Sequence, residues 1–135
     1  MWSGDFKRSL QIYQRVLEDL LPSGGAINEP EATLFYGLDA ILAGDLELAG
    51  SLVARAEADL AKGRSAHTHS HVLGLRSLYA VSRGDWDGLL RTIDELEQLI
   101  ADSPENSFCL IGGAAIGYGG VGRLMKTRPS GAFQS

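Results

Sequence analysis

A two-residue step of glycine and aspartate recurs three times along this chain, and its spacing constrains the fold more than any other feature. The step stands at Gly4-Asp5, Gly44-Asp45 and Gly84-Asp85, so each copy lies 40 residues after the previous one. An apolar pattern of helical period follows each copy. A fixed period of this length is typical of stacked helical arrays, in which each unit buries its apolar face against its neighbours. We therefore predict an array of helices rather than a single-core enzyme fold.

Apolar residues at steps of three and four, with glycine and proline between them, divide the chain into six helices. The fold class that we predict is all-α, an antiparallel array of helix pairs. The domain covers residues 1–123, and residues 124–135, which are rich in turn formers, are expected to form a flexible tail. The predicted helices cover about 3–21, 30–44, 45–62, a segment that starts within 66–71 and ends at 84, 85–100 and 103–122.

The repeated aspartates Asp45 and Asp85 suggest two chemistries. They could form a pair of catalytic carboxylates, but their equivalent places in the repeat favour helix N-caps. A capping carboxylate accepts a hydrogen bond from a backbone N–H in the first helical turn and contributes about 1 kcal/mol. We therefore interpret each Gly-Asp step as a turn followed by a cap.

Small residues at fixed places link this repeat to a known family. Gly37, Gly44 and Ala49, followed by Val53 and Ala56, stand where tetratricopeptide repeats have their small, turn and packing residues. The chain resembles a tetratricopeptide-like repeat in this respect, although its period is longer. Degenerate units of this length are similar to the helical sensor regions of large bacterial regulators.

The resemblance implies a binding groove, because the first helix of each pair lines the concave face in that family. An apolar groove there would be a binding surface. Alternatively, the same residues are core residues that tighter packing buries. The candidate groove residues are Leu34, Leu38, Ile41, Leu42, His71, Leu78, Val81, Ile111 and Tyr118.

Three other patterns fail the tests of the chemistry that they suggest. Residues 117–122 match the glycine pattern of dinucleotide-binding loops, but no strand precedes them and no acidic residue follows at the required distance. His67 and His71 share a helix face, yet no third ligand lies near them in sequence. Cys109 has no neighbouring base and is expected to be inert. We expect no catalytic residues, no metal and no cofactor.

Charge and hydropathy limit the partners. The net charge is −5 with no basic cluster, which argues against nucleic acid because phosphate contacts need lysine and arginine. The longest uncharged run, residues 106–122, is too short and too rich in glycine to span a membrane. The start of the chain lacks the apolar core of a signal peptide. We expect a cytoplasmic protein with a protein or peptide partner.

The phase of the repeat is incomplete. A fourth Gly-Asp step would fall at Leu124-Met125 and is absent, so the array stops half a unit short. We expect that a second copy completes it as a homodimer, or that the chain is part of a larger regulatory protein. The predicted function is non-catalytic protein or peptide binding, and the alternative is a small-molecule sensor domain. A closed apolar pocket of about 300–1,000 Å³ would favour the sensor, and an open channel would favour the peptide.

Overall fold

The computed structural model describes residues 5–20, 29–63, 65–103 and 110–127, and every regular element in this part of the chain is helical. The predicted all-α class with about six helices is confirmed. The helices are α1 (Phe6–Arg15), which continues into a π-helical segment (Val16–Leu20), α2 (Glu29–Leu42), α3 (Leu46–Leu60), α4 (Ala66–Arg83), α5 (Trp86–Asp102) and α6 (Leu110–Thr127).

The Gly44-Asp45 step joins α2 to α3 with a cap at each helix end. Gly44 has a φ of 79°, a conformation that disfavours other residues, and the Asp45 N–H donates to the Ala40 carbonyl at 2.9 Å. The Asp45 carboxylate accepts from the Leu48 N–H at 3.1 Å. One dipeptide therefore ends one helix and begins the next.

The same geometry recurs 40 residues later between α4 and α5. Gly84 has a φ of 68°, the Asp85 N–H donates to the Ala80 carbonyl at 2.9 Å, and the Asp85 carboxylate accepts from the Gly88 N–H at 3.0 Å. Asp5 caps α1 in the same way. The prediction that these aspartates cap helices is confirmed, because their carboxylates accept hydrogen bonds from backbone N–H groups.

Three clusters of buried apolar side chains form the core, and they follow the helix pairs. The first cluster joins α1, its π-helical extension, α2 and α3. The second joins α4 and α5, and the third links the pair α2–α3 to α4. The buried members of the linking cluster are Leu34, Val53 and Leu75. Gly37 brings α2 close to α4, since a Cβ on it would lie 2.8 Å from the Leu75 Cδ1.

Helix α4 is central to the packing. It contacts α2, α3, α5 and α6, while α6 also packs on α5, and α1 packs on α2. Among the described residues, α3 and α5 are not a closely packed pair. A cleft therefore lies between them, and α4 forms its floor.

One predicted boundary differs from the structure at the end of α6. The flexible tail was expected from residue 124, but residues 124–127 belong to α6, which continues to Thr127. Gly119 and Gly122 explain the extension, because they let α6 approach α5 so closely that an added Cβ would lie 2.9 Å from Ile93 and 2.8 Å from Leu89. This packing offsets the low helix propensity of glycine. Residues 104–109 and 128–135 lie outside the described residues.

The first helix also differs from its prediction, and α5 ends at Asp102, where the Ser103 N–H donates to the Leu99 and Ile100 carbonyls. Ser103 was predicted to cap the sixth helix, and residues 104–109, on which that cap depends, lie outside the described residues. The first helix was predicted as one α-helix over 3–21, whereas α-helical hydrogen bonding ends at Arg15 and changes to a π-helical pattern. The apolar face is nevertheless continuous, since Leu17 of the π-helical segment is buried in the first cluster.

Candidate functional site

The cleft between α3 and α5 has a volume of about 310 Å³ and is lined mainly by charged and polar side chains. Its floor is α4 and its two walls are α3 and α5. The residues that determine its chemistry are Glu57, Arg76, Tyr79, Arg83, Arg91 and Glu95.

Arg76 occupies one end of the cleft and holds the three helices together. Its Nε donates to the Thr92 Oγ1 at 2.8 Å, its Nη1 to the Glu57 Oε1 at 3.0 Å, and its Nη2 to the Glu95 Oε1 at 2.7 Å. Thr92 in turn donates to the Gly88 carbonyl at 2.9 Å. One guanidinium from α4 therefore bridges a carboxylate of α3 and a carboxylate of α5.

The electrostatics of this cluster keep Arg76 charged. Burial alone would lower the pKa of Arg76, but the hydrogen bonds that it donates to Glu95 and Glu57 and the negative charges of these carboxylates outweigh burial, so the pKa is raised. The Arg76 side chain is 26% exposed, whereas Glu57 and Glu95 are 40% and 53% exposed. The cation is therefore largely enclosed, and the two carboxylates face the open side of the cleft.

The other end of the cleft carries two arginines that are exposed and, unlike Arg76, are not bonded to carboxylates of the described residues. Arg83 lies over the ring of Tyr79, with its Cζ 5.1 Å from the ring centroid. Arg91 comes from α5, and both arginines are exposed. Within the described ranges neither makes an ion pair or a side-chain hydrogen bond. Their N–H donors therefore remain available to a ligand.

Gly50 of α3 gives Tyr79 its position. A Cβ at residue 50 would lie 2.6 Å from the Tyr79 hydroxyl oxygen, so the ring rests against the α3 backbone. A side chain at this position would displace the ring, and with it the support of Arg83. The wall of the cleft thus depends on a glycine whose role is close approach rather than turn formation.

The residues of the predicted apolar groove are divided between core and surface. Leu34 is a core residue in the cluster that joins the helix pairs, and His71 is also buried, so the core interpretation holds for these two. Leu42 is exposed, and the side chains of Ile111 and Tyr118 lie outside those that the structure describes. The half-buried members are Leu38, Ile41, Leu78 and Val81.

The structure also gives positions for the histidine pair and for part of the glycine-rich run that the sequence singled out. The His67 and His71 rings meet edge to face with their centroids 4.2 Å apart. In the described part of the chain no three histidine, cysteine, aspartate or glutamate side chains come together as metal ligands would. Cys109 lies outside the described residues. Gly119 and Gly122 of the glycine-rich run pack against α5, as a last helix with small residues requires.

Sequence reasoning missed the arginine cluster. In the sequence, Glu95 is one of three acids close together with Asp94 and Glu97, and nothing local marks it as the partner of Arg76. The available signal was Arg76 itself, which is a charged residue in a helix stretch that is otherwise uncharged and mostly apolar. A cation in such a place needs a partner, because burying an unpaired charge is costly.

Comparisons with known proteins give no match: no family model, no curated protein and no solved structure matches this chain. Among the helices of the described residues, none is long and apolar enough to cross a membrane.

Proposed function

We propose that this chain is a non-catalytic interaction module of tetratricopeptide-like type that binds a protein or peptide segment in the cleft between α3 and α5. The observation that carries this proposal is the pair of available arginines, Arg83 and Arg91, in an open cleft whose floor is fixed by the Arg76 cluster. A fixed floor with exposed donors is preorganised, so a ligand binds without first ordering the site.

The character of the cleft supports a peptide over a small apolar molecule. Its volume of about 310 Å³ is at the lower end of ligand pockets, and its lining mixes charged side chains with apolar surface. Glu57 and Glu95 leave the site open to solvent, since about half of each side chain is exposed. A chain passing over the cleft can insert one or two side chains and continue across α3 and α5.

The arrangement of titratable groups supports a role without catalysis. Acid–base chemistry needs a group whose pKa is brought near neutrality within reach of a substrate. In the cleft, Arg76 is held in its charged form by Glu57 and Glu95, and Asp85 is engaged with the α5 backbone. Arg76 and Asp85 are therefore both engaged in contacts that stabilise the fold.

A displayed library of random peptides tests the proposal. Enriched peptides are synthesised, their affinity for the full chain is measured by fluorescence anisotropy, and the site is mapped from backbone amide NMR shifts. We expect shifts to concentrate at the α3, α4 and α5 residues that line the cleft. Failure to select any peptide that perturbs these amides would contradict the proposal, as would turnover of a substrate by the purified chain.

A further inference from the structure

The two ends of the cleft carry opposite charge. At the Arg76 end, the carboxylates of Glu57 and Glu95 face one guanidinium, so the local formal charge is negative. At the other end, the guanidiniums of Arg83 and Arg91 face one carboxylate, that of Asp85, so the local formal charge is positive. The lining as a whole is close to neutral, but the cleft is electrically polar along its length.

The Arg91 backbone lies only one turn from Glu95, so the direction of its side chain decides which end of the cleft its guanidinium occupies. Long side chains on a helix point back toward its N-terminus. In agreement with this direction, Arg91 contributes to the lowered pKa of Asp87, after the larger effect of Lys126, and Asp87 lies one turn nearer the start of α5. The Arg91 guanidinium therefore extends toward the Arg83 end of the cleft.

The distance between the two ends follows from α4. Arg76 and Arg83 are seven residues apart on that helix, which corresponds to about 10 Å at ~1.5 Å per residue. An extended polyproline-type segment rises ~3.1 Å per residue with three residues per turn, so side chains three residues apart share a face about 9 Å apart. The distance between the two ends of the cleft and the distance between the two side chains of the segment are therefore nearly equal, and the flexibility of a charged side chain covers the difference.

We propose, building on the proposed peptide-binding function, that the cleft binds an extended segment with an acidic and a basic side chain three residues apart. The acidic side chain contacts Arg83 and Arg91, and the basic one contacts Glu57 and Glu95. One oxygen of each glutamate is bonded to Arg76, and the second oxygen of each is available to the ligand cation. Arg76 contributes little to ligand binding, because three of its five N–H donors already bond Thr92, Glu57 and Glu95 and the two carboxylates neutralise its charge.

The charge balance also discriminates between anions. A carboxylate carries one negative charge, which balances the net positive charge that Arg83, Arg91 and Asp85 leave at this end of the cleft. A phosphate brings nearly two charges and would lie in the same cleft as three carboxylates, so repulsion reduces what it gains. The site therefore favours an acidic side chain over a phosphorylated one.

The test uses a fluorescein-labelled, capped peptide with the core Glu-Pro-Pro-Lys and measures its anisotropy with the full chain at low salt. Three matched peptides replace the glutamate by glutamine, the lysine by glutamine, or the glutamate by phosphoserine. We expect the first two changes to raise Kd about tenfold each, since each removes a charge-assisted contact, and the phosphoserine peptide to bind more weakly than the parent.

Protein variants assign the contacts. Arg83→Gln and Arg91→Gln should each raise Kd about tenfold for the parent peptide and leave Kd unchanged for the glutamine peptide that lacks the acid. Glu95→Gln should act in the same way toward the lysine. Arg15→Gln on α1, outside the cleft, is the matched control with the same change of charge and should have no effect. Circular dichroism confirms that all variants fold.

The outcomes separate the two proposals. Library peptides that map to the cleft but lack the charge pair, or that are insensitive to Arg83→Gln and Arg91→Gln, would overturn this inference and leave the peptide-binding function standing. Tighter binding of the phosphoserine peptide would also overturn it. A cleft to which no peptide binds, whether from the library or from the designed set, would overturn both.

Discussion

Replacing Arg76 by methionine tests whether the three-helix bridge stabilises the fold. The substitution keeps most of the apolar stem and removes the guanidinium that bonds Thr92, Glu57 and Glu95. Exposed ion pairs contribute about 0–1 kcal/mol, whereas breaking a fully buried pair costs ~3–5 kcal/mol. Arg76 lies between these limits because its side chain is only 26% exposed while both glutamates reach solvent.

The magnitude follows from what each partner loses. The two glutamates regain water when the arginine is removed, so neither becomes a buried unpaired charge. Thr92 keeps its bond to the Gly88 carbonyl and loses only the bond that it accepts. We therefore expect Arg76→Met to lower the free energy of unfolding by about 2 kcal/mol. For a chain of this size, such a loss lowers the Tm by roughly 8 °C.

Urea unfolding followed by circular dichroism measures this difference, and Arg123→Met is the matched control. Arg123 pairs with Glu97 at 3.5 Å, and both side chains are about half exposed. The control should cost less than about 0.5 kcal/mol. Glu95→Gln should destabilise the natural chain and have little further effect in the Arg76→Met background. Equal losses for Arg76→Met and Arg123→Met would refute the bridging argument.

Three further predictions concern other parts of the fold. Gly120→Ala should stabilise α6 by about 1 kcal/mol, since the new Cβ meets open space. Gly119→Ala should lack that gain, because its Cβ would lie 2.9 Å from a side-chain carbon of α5; equal Tm shifts for the two would argue against the close approach. Asp45→Ala should cost about 1 kcal/mol and speed hydrogen exchange at the Leu48 amide, and unchanged exchange would contradict its role as a cap. The pKa of Tyr13 is raised, first by burial and then by a nearby buried carboxylate of α2, so the unfolded chain loses this proton first. The contribution of Tyr13 to stability is therefore present below pH 10.0 and is lost as the pH rises through the pKa of Tyr13 in the folded chain. Ultraviolet titrations of the natural chain and of Tyr13→Phe should differ by one late-titrating tyrosine, and a difference at the ordinary tyrosine pKa would disprove this.

The turns and caps between paired helices could be predicted from the sequence because they depend only on residues close together in the chain. A cap needs only a glycine, an aspartate and the backbone within a few residues, so Asp45 and Asp85 could be assigned from their neighbours. The end of α6 was predicted less well. Glycine propensity argues for a short helix, but contacts of Gly119 and Gly122 with α5 decide the outcome, and these depend on packing between helices.

The candidate site was harder to predict because its residues are distant in sequence. Glu57 and Glu95 each lie 19 residues from Arg76, on either side of it, and nothing local distinguishes them from other exposed acids. Helical spacing indicates which face a residue occupies but not which helix lies opposite. Leu34 illustrates the same limit, since its place on a groove or in the core depends on how closely α2 approaches α4.

The double caps at Gly44-Asp45 and Gly84-Asp85 have a mechanical consequence. Because the last turn of one helix and the first turn of the next share a single dipeptide, the angle within a pair is stiff. Helices α4 and α5 therefore form one stiff body, and α3 belongs to another. We expect the cleft to open by bending between the two bodies, resisted by the Arg76 bridge and by the contacts of α4 with α2 and α3. A substitution at Gly37, which lies outside the cleft, should change the width of the cleft and the length of the segment that it accepts.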